Sequence, residues 1–239
     1  MAKIKTPVIN KDIFLNTLTC PVLGWTLSRT DKSSISPPTF ADQLKFEEGL
    51  EIHERARTLF PTGTLIPFSN NKTAAETTQK LLADKKIEVL FEPTFCSSNF
   101  VTKADILKKN KGGWHLYEVK SATTDKPELI DDMAYTVMVA QKAKLEITNC
   151  SLLLVSKDYR LGMTNKKLFT EVDHTEEVFE KVKEFLTCCD DVEKIILSSR
   201  KPKANLIFNC RGCDLFSECT GSVTIHSFAG ISLGYGASA

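Results

Sequence analysis

The 239-residue chain has almost no net charge, since 31 Lys and Arg against 30 Asp and Glu leave +1. That excludes a global attraction for a polyanion, so a nucleic-acid partner would need a local basic groove. The amino-terminal MAKIKTPVIN lacks the apolar run of an export signal, and nowhere do about 18 apolar residues follow one another without charge. A soluble, cytoplasmic protein with no membrane partner is therefore expected. Low-complexity tracts and internal repeats are also missing, which excludes solenoid arrays. What remains is an ordinary globular composition, 42% hydrophobic and 26% charged, in a chain long enough to bury a proper core. Its eight cysteines, without an export signal, argue against structural disulfides.

The most informative stretch is 100–121, FVTKADILKKNKGGWHLYEVKS. Two runs rich in Val, Ile, Leu, Trp and Tyr flank a polar turn ending in Gly112 and Gly113, the pattern of a β-hairpin. Strand side chains alternate faces, so Glu118 and Lys120 share one face and Val119 takes the other. With Lys111 and Gly112 as the loop, Asn110 faces Gly113, and counting back sets Asp105 opposite Glu118. Opposed residues hold their Cβ atoms about 5 Å apart. Two carboxylates that close repel unless a cation lies between them or one is protonated. Oxygen ligands of this kind suit Mg²⁺ or Mn²⁺, and an adjacent lysine can orient water or stabilise charge developing on a phosphate. On these residues alone, a solvated hairpin face with a cross-strand ion pair is an equal reading.

Around the hairpin, helical and strand patterns alternate. Residues 11–20 form a loose helical pattern, 22–27 a short apolar piece and 31–38 a loop. Over 39–60, Phe40, Leu44, Phe46, Leu50, His53, Ala56, Leu59 and Phe60 recur at helical spacing. Gly49, one turn before His53, leaves room for a backbone or a ligand. A helix is expected at 73–85, a strand at 87–95, and a helix at 127–145 with Ile130, Ala134, Val137 and Met138 on its buried side. The run 151–156 reads as a strand buried on both faces, 157–170 as a polar loop or hairpin, and 176–188 and 192–197 as two helical pieces. This order predicts an antiparallel meander followed by a parallel return across a helix, giving a mixed α/β sheet flanked by helices. Cys96, Cys150, Cys188 and Cys189 lie in or beside apolar segments and read as small core residues, while Trp114 and Tyr117 could stack on nucleic-acid bases but read first as core aromatics.

His53, Asp105, Glu118 and Lys120 are polar residues where apolar ones belong. Alone, His53 is more simply a core histidine bonded to a carbonyl. Together, GLEIH at 49–53, a strand ending in Ala104 and Asp105, EVK at 118–120 and a following helix with Asp131 and Tyr135 resemble the PD-(D/E)XK nuclease superfamily. The likeness is narrower to its RecB-like branch, whose motifs are GxxxH, a strand Asp, (D/E)xK and QxxxY. Cys20 near the N-terminus and the CxxCx₅C of Cys210, Cys213 and Cys219 resemble the iron–sulfur members, among them CRISPR-associated adaptation exonucleases and AddB-type helicase-nuclease subunits. The resemblance spans 20–219. It implies a restriction-endonuclease-like α/β core at about 39–200 within a single domain of 1–239, with 11–30 and 205–226 joined at the cysteines. It further implies that His53, Asp105, Glu118 and the Val119 carbonyl bind Mg²⁺ or Mn²⁺, that Lys120 positions the attacking water, and that Tyr135 lies near the site. Asp131 stands where the family has Gln. Residues 128–161 also resemble uncharacterised bacterial proteins in which such a module precedes further domains.

Four thiolates from the two ends of the chain can hold a [4Fe-4S] cluster, and CxxC with two more cysteines is equally a tetrahedral Zn²⁺ site. The resemblance favours the cluster. Lys103, Lys108, Lys109 and Lys111 around the hairpin, with Lys157, Arg160, Lys166 and Lys167, could line a groove for DNA, although Lys108 to Lys111 read first as solvated turn lysines. The function expected is a metal-dependent deoxyribonuclease acting on DNA ends or single strands within a repair, recombination or defence complex. Two alternatives stand beside it: a catalytically idle nucleic-acid-binding module, for which Asp131 argues, and a zinc-stapled interaction protein.

Overall fold

The strands of the hairpin and those expected around it come together in one sheet. The computed structural model describes residues 7–30, 37–67 and 69–221. In chain order the main elements are α1 (Lys11–Thr19), α2 (Pro21–Leu27), α3 (Phe40–Arg57), β1 (Thr64–Leu65), α4 (Asn71–Ala83), β2 (Val89–Phe91), β3 (Thr94–Ser97), β4 (Phe100–Lys103), β5 (Ile106–Asn110) and β6 (Gly113–Lys120). Then follow α5 (Glu128–Lys142), β7 (Ile147–Val155), α6 (Asn165–Leu168), β8 (Phe169–Asp173), α7 (Thr175–Leu197), a 3₁₀ turn at Phe208–Gly212 and α8 (Phe216–Thr220). Six strands form a sheet in the order β1-β2-β5-β6-β7-β8, while β3 and β4 pair separately. The β1–β2 and β6–β7 pairs are parallel and the rest antiparallel, so the sheet is mixed and flanked by helices, as the sequence predicts. No helix among the described residues is long and apolar enough to cross a membrane. The tail beyond residue 221 and part of the 31–38 loop lie outside the described residues.

The hairpin register follows from its turn. Gly112 adopts φ +93°, which favours glycine, and Asn110 faces Gly113. The ladder then runs back to Ile106 opposite Tyr117 and ends there, one residue short of the expected Asp105–Glu118 pair. The meander is longer and more bent than expected. The 87–95 strand breaks at Glu92, whose φ of +57° is rare for a residue with a Cβ. Its partner breaks at Ala104 and Asp105. Pairing nevertheless continues through the break: Glu92 N donates to Asp105 O at 2.9 Å and Ala104 N to Pro93 O at 3.0 Å. The strand pairs β2–β5 and β3–β4 are thus one ribbon, folded away from the main sheet at its middle. Because β3 leaves the sheet, Cys96 is exposed, whereas Cys150 and Cys189 are buried as expected.

Along β6, alternation divides the core in two. Trp114 and Leu116 face a large cluster built with Phe14, Met133, Tyr135, Met138 and Phe185 from α1, α5 and α7. Tyr117 and Val119 face a smaller one with Ala56 of α3, so both strand aromatics are core. Burying one such aromatic fully contributes about 1.5–3 kcal/mol. The α3 helix departs most from the sequence reading: Phe40, Leu44, Phe46 and Leu50 are exposed, and only the C-terminal half reaches the sheet. At 100° per residue, Phe46 and Leu50 lie about 120° round the helix from Phe40 and Leu44, so these residues form no single stripe. The strand β8, which starts at the end of the expected 157–170 loop or hairpin and runs past it, completes the sheet against β7, and α7 is one helix rather than two.

Candidate active site

Asp105 lies where the ribbon bends out of the sheet. Its backbone has left β5 there, and its Oδ2 accepts the Val119 N–H at 2.8 Å. The bend is held by Glu92, which bonds Arg57 at 2.6 Å and also Lys103, tying the end of α3 to the ribbon. That tie aims His53, one turn before Arg57, at the same place, with Nδ1 3.7 Å from Asp105 Oδ1. No atom lies within 4 Å of where a Cβ on Gly49 would be, so the space one turn before His53 is open. Lys120, at the end of β6, donates to Glu118 at 2.9 Å and to Asp132 of α5 at 3.0 Å. Lys11 of α1 reaches in from a third element, 2.9 Å from Asp132 and 3.8 Å from Glu118.

The charges are strongly interdependent. Burial, and then the neighbouring Glu118 charge, push the Asp105 carboxyl well above the usual carboxylate range, against the Val119 N–H and Lys120. Burial works to lower the Lys120 ammonium, but Glu118 and Asp132 outweigh it and hold the lysine charged. Burial likewise works to raise Asp132, and Lys11 and Lys120 outweigh it. His53 is lowered, first by burial, and so is a neutral imidazole near pH 7. Among the described residues, no three His, Cys, Asp or Glu side chains already stand as a closed ligand set. Two facing carboxylates with a neutral imidazole beside them are nonetheless a donor set suited to a hard divalent cation.

Of the residues singled out from sequence, His53, Asp105, Glu118, Val119 and Lys120 come together. Tyr135 does not. It is fully buried, packs on Phe14, and its hydroxyl donates to Ile9 O at 2.7 Å and Val101 O at 3.1 Å. Burial pushes that phenol upward, out of reach of proton transfer. Its role is to lock the chain before α1 onto the ribbon, because the face of α5 that carries it looks into the core. Asp131 is also away from the carboxylates, half exposed and 3.8 Å from Lys181 of α7. The α5 residue that reaches the site is Asp132, which the motif match passed over by one position. Lys11 carried no motif. The hairpin's Lys108, Lys109 and Lys111 are exposed, as turn lysines should be.

Cys20, Cys210, Cys213 and Cys219 line one small cavity of about 20 Å³, with Val22, Leu23, Leu206, Leu215 and Phe216. All four are free thiols. Burial raises the Cys219 thiol, with the Cys20 and Cys213 thiols adding to the effect. The ends of the chain meet because α2 docks on the last turn of α7, where Trp25 Nε1 donates to Ser198 O at 2.9 Å. Arg29, stacked 4.0 Å over Trp25, donates to the Ile196 and Ser198 carbonyls at 2.9 and 2.7 Å. These bonds satisfy carbonyls that a helix end leaves open.

No family model and no curated protein matches the chain. Solved structures overlap it loosely. LHK-Exo, an alkaline exonuclease from Laribacter hongkongensis, is similar in its complex with dAMP at 12% identity over 80% of this chain and 90% of that one, with a TM-score of 0.43. A second structure of LHK-Exo gives 11% identity over 79% and 91%, with a TM-score of 0.41. SSO0001 gives 12% over 92% and 89%, with a TM-score of 0.34.

Proposed function

We propose that the chain is a Mg²⁺- or Mn²⁺-dependent deoxyribonuclease of the RecB-like, restriction-endonuclease-like type, acting on DNA ends or single strands. The observation that carries the reading is the bend of the ribbon, where Asp105 and Glu118 converge with His53 and a charged Lys120. In this reading His53, Asp105, Glu118 and the Val119 carbonyl hold the divalent cation. Such a cation, when bound, polarises a phosphoryl oxygen and acidifies a water. The chain's own contribution is positional and electrostatic. The repulsion between Asp105 and Glu118 is relieved by binding a cation, and the neutral His53 ring keeps a lone pair to offer. Lys120, held charged by Asp132 and Glu118, orients the attacking water and balances charge developing on the phosphate.

The four cysteines around that cavity are the thiolates that would hold a structural [4Fe-4S] cluster, or alternatively Zn²⁺, between the two ends of the chain; among the described residues they do not yet stand as a closed ligand set. The spacing suits either; the family resemblance alone favours the cluster, and a repair, recombination or defence assembly is the setting that resemblance suggests. Asp131, which argued for an idle module, lies against Lys181 and gives that reading no support.

The test is anaerobic purification with metal analysis, then a Mn²⁺ assay on end-labelled single and double strands. Wild type is expected to carry iron and to degrade DNA, while Asp105→Ala and Lys120→Ala stay folded by circular dichroism and lose cleavage. Full activity in both variants would sink the site assignment. A colourless protein with stoichiometric zinc would replace the cluster by zinc.

A further inference from the structure

We infer that Lys11 is a second lysine of the hydrolytic site, placed by the N-terminal helix to contact the phosphate of a bound single strand. The inference rests on the nuclease reading and adds a residue that no motif contains. Two observations carry it: how firmly Lys11 is placed, and how much of its ammonium stays open to a further acceptor.

The start of α1 is fixed on all sides. Ile9 N donates to Asn99 O at 2.8 Å, Val101 N donates to Ile9 O at 2.9 Å, and Tyr135 donates to the same Ile9 carbonyl. Asn10 caps the helix by accepting the Ile13 N–H at 2.9 Å. One turn on, Phe14 is fully buried among Phe100, Tyr135 and Phe185. Two residues on each side of Lys11, Ile9 and Asn10 before it and Ile13 and Phe14 after it, are thus occupied in holding its backbone against the ribbon and α5, beside the carboxylates.

Lys11 shares the carboxylates with a second cation. Lys120 already bonds both Glu118 and Asp132. An ammonium has three donors, and the two carboxylates near Lys11 engage at most two of them, one at 2.9 Å and one only at 3.8 Å. The Lys11 side chain is also the most exposed of the four charged groups in this knot, at 30%. An ammonium so placed, with a donor left over and its side chain the most open of the four, adds positive charge where a phosphate would approach.

The experiment compares wild type, Lys11→Met and Lys11→Arg, each checked by thermal melting. Binding of a fluorescent single strand is followed against salt in Ca²⁺, and cleavage is followed in Mn²⁺. For Lys11→Met the slope of log K against log salt should fall by about 0.7, one phosphate contact on a single strand. Its kcat/KM should fall about 100-fold, the usual loss for one donor to developing charge. Lys11→Arg should restore the slope. If Lys11 only braces Asp132, Lys11→Met melts lower with the slope unchanged, and the inference is overturned. Wild-type rate in Lys11→Met overturns it as well. A wild-type chain that binds strands with this slope difference but cuts none refutes the nuclease reading alone, and one that binds no strand refutes both.

Discussion

Replacing Tyr135 by Phe separates a structural tyrosine from a catalytic one. The phenol has one proton, shared between Ile9 O at 2.7 Å and Val101 O at 3.1 Å, in a fully buried setting. Its removal costs one buried hydrogen bond, about 1 kcal/mol. The cost stays near that figure because the Ile9 carbonyl still accepts the Val101 N–H at 2.9 Å. For a domain of this size, 1 kcal/mol lowers the melting temperature by about 2–4 °C. Ring packing on Phe14 survives, so the carboxylates and lysines stay where they are. Melting followed by circular dichroism, and Mn²⁺-dependent cleavage at 25 °C, should therefore diverge: a small drop in Tm with a cleavage rate within about twofold of wild type. A cleavage rate reduced 100-fold at unchanged Tm would show that the hydroxyl takes part in the chemistry and would refute the core assignment.

Two further contrasts test the site. Asp131→Gln, which restores the residue of the QxxxY pattern, should change stability by no more than about 0.5 kcal/mol and leave cleavage unchanged, since Asp131 lies on the surface beside Lys181. Asp132→Asn weakens the acceptor that holds both lysines and should lose at least tenfold in kcat on the same end-labelled substrate; the reverse ranking would restore the motif alignment. Asp105→Asn removes one of two facing carboxylates, so without divalent cation it should melt no lower than wild type. Mn²⁺ at a hundred times its Kd should stabilise wild type by about 2.7 kcal/mol and leave Asp105→Asn unmoved, as differential scanning calorimetry can read. Equal Mn²⁺ stabilisation of both would remove Asp105 from the cation site.

The hairpin was readable because two local signals agreed, a glycine turn that sets the count and an apolar alternation that sets the faces. The parallel step from β6 to β7 followed from the helix between them. The bend was not readable. It rests on a left-handed Glu92, a conformation that a glutamate does not signal in advance, and on Arg57 from a distant helix. Strand β8, FTEVD, has exposed and half-buried side chains, so it lacks the apolar run that marks a strand. His53 and Lys120 could be picked out because they interrupt local patterns. Lys11 and Asp132 sit where a charged residue is ordinary, at a helix start and on a helix flank, and only the meeting of α1, α5 and β6 gives them a common purpose.

The unbroken pairing of the ribbon also works as a ruler. Asp105 is indexed to its root, and the start of α1 is indexed to its tip through Asn99 and Val101. Adding two residues to each arm, between Phe95 and Cys96 and between Val101 and Thr102, would keep every pair and every face. It would still carry the origin of α1 outward by about 7 Å, at 3.4 Å per residue. Lys11 would then leave Asp132 with no local rule of sheet or helix broken. The length of the ribbon, and not only its register, is therefore under constraint, and length variation in this chain is expected to be absorbed in loops that carry no such measure.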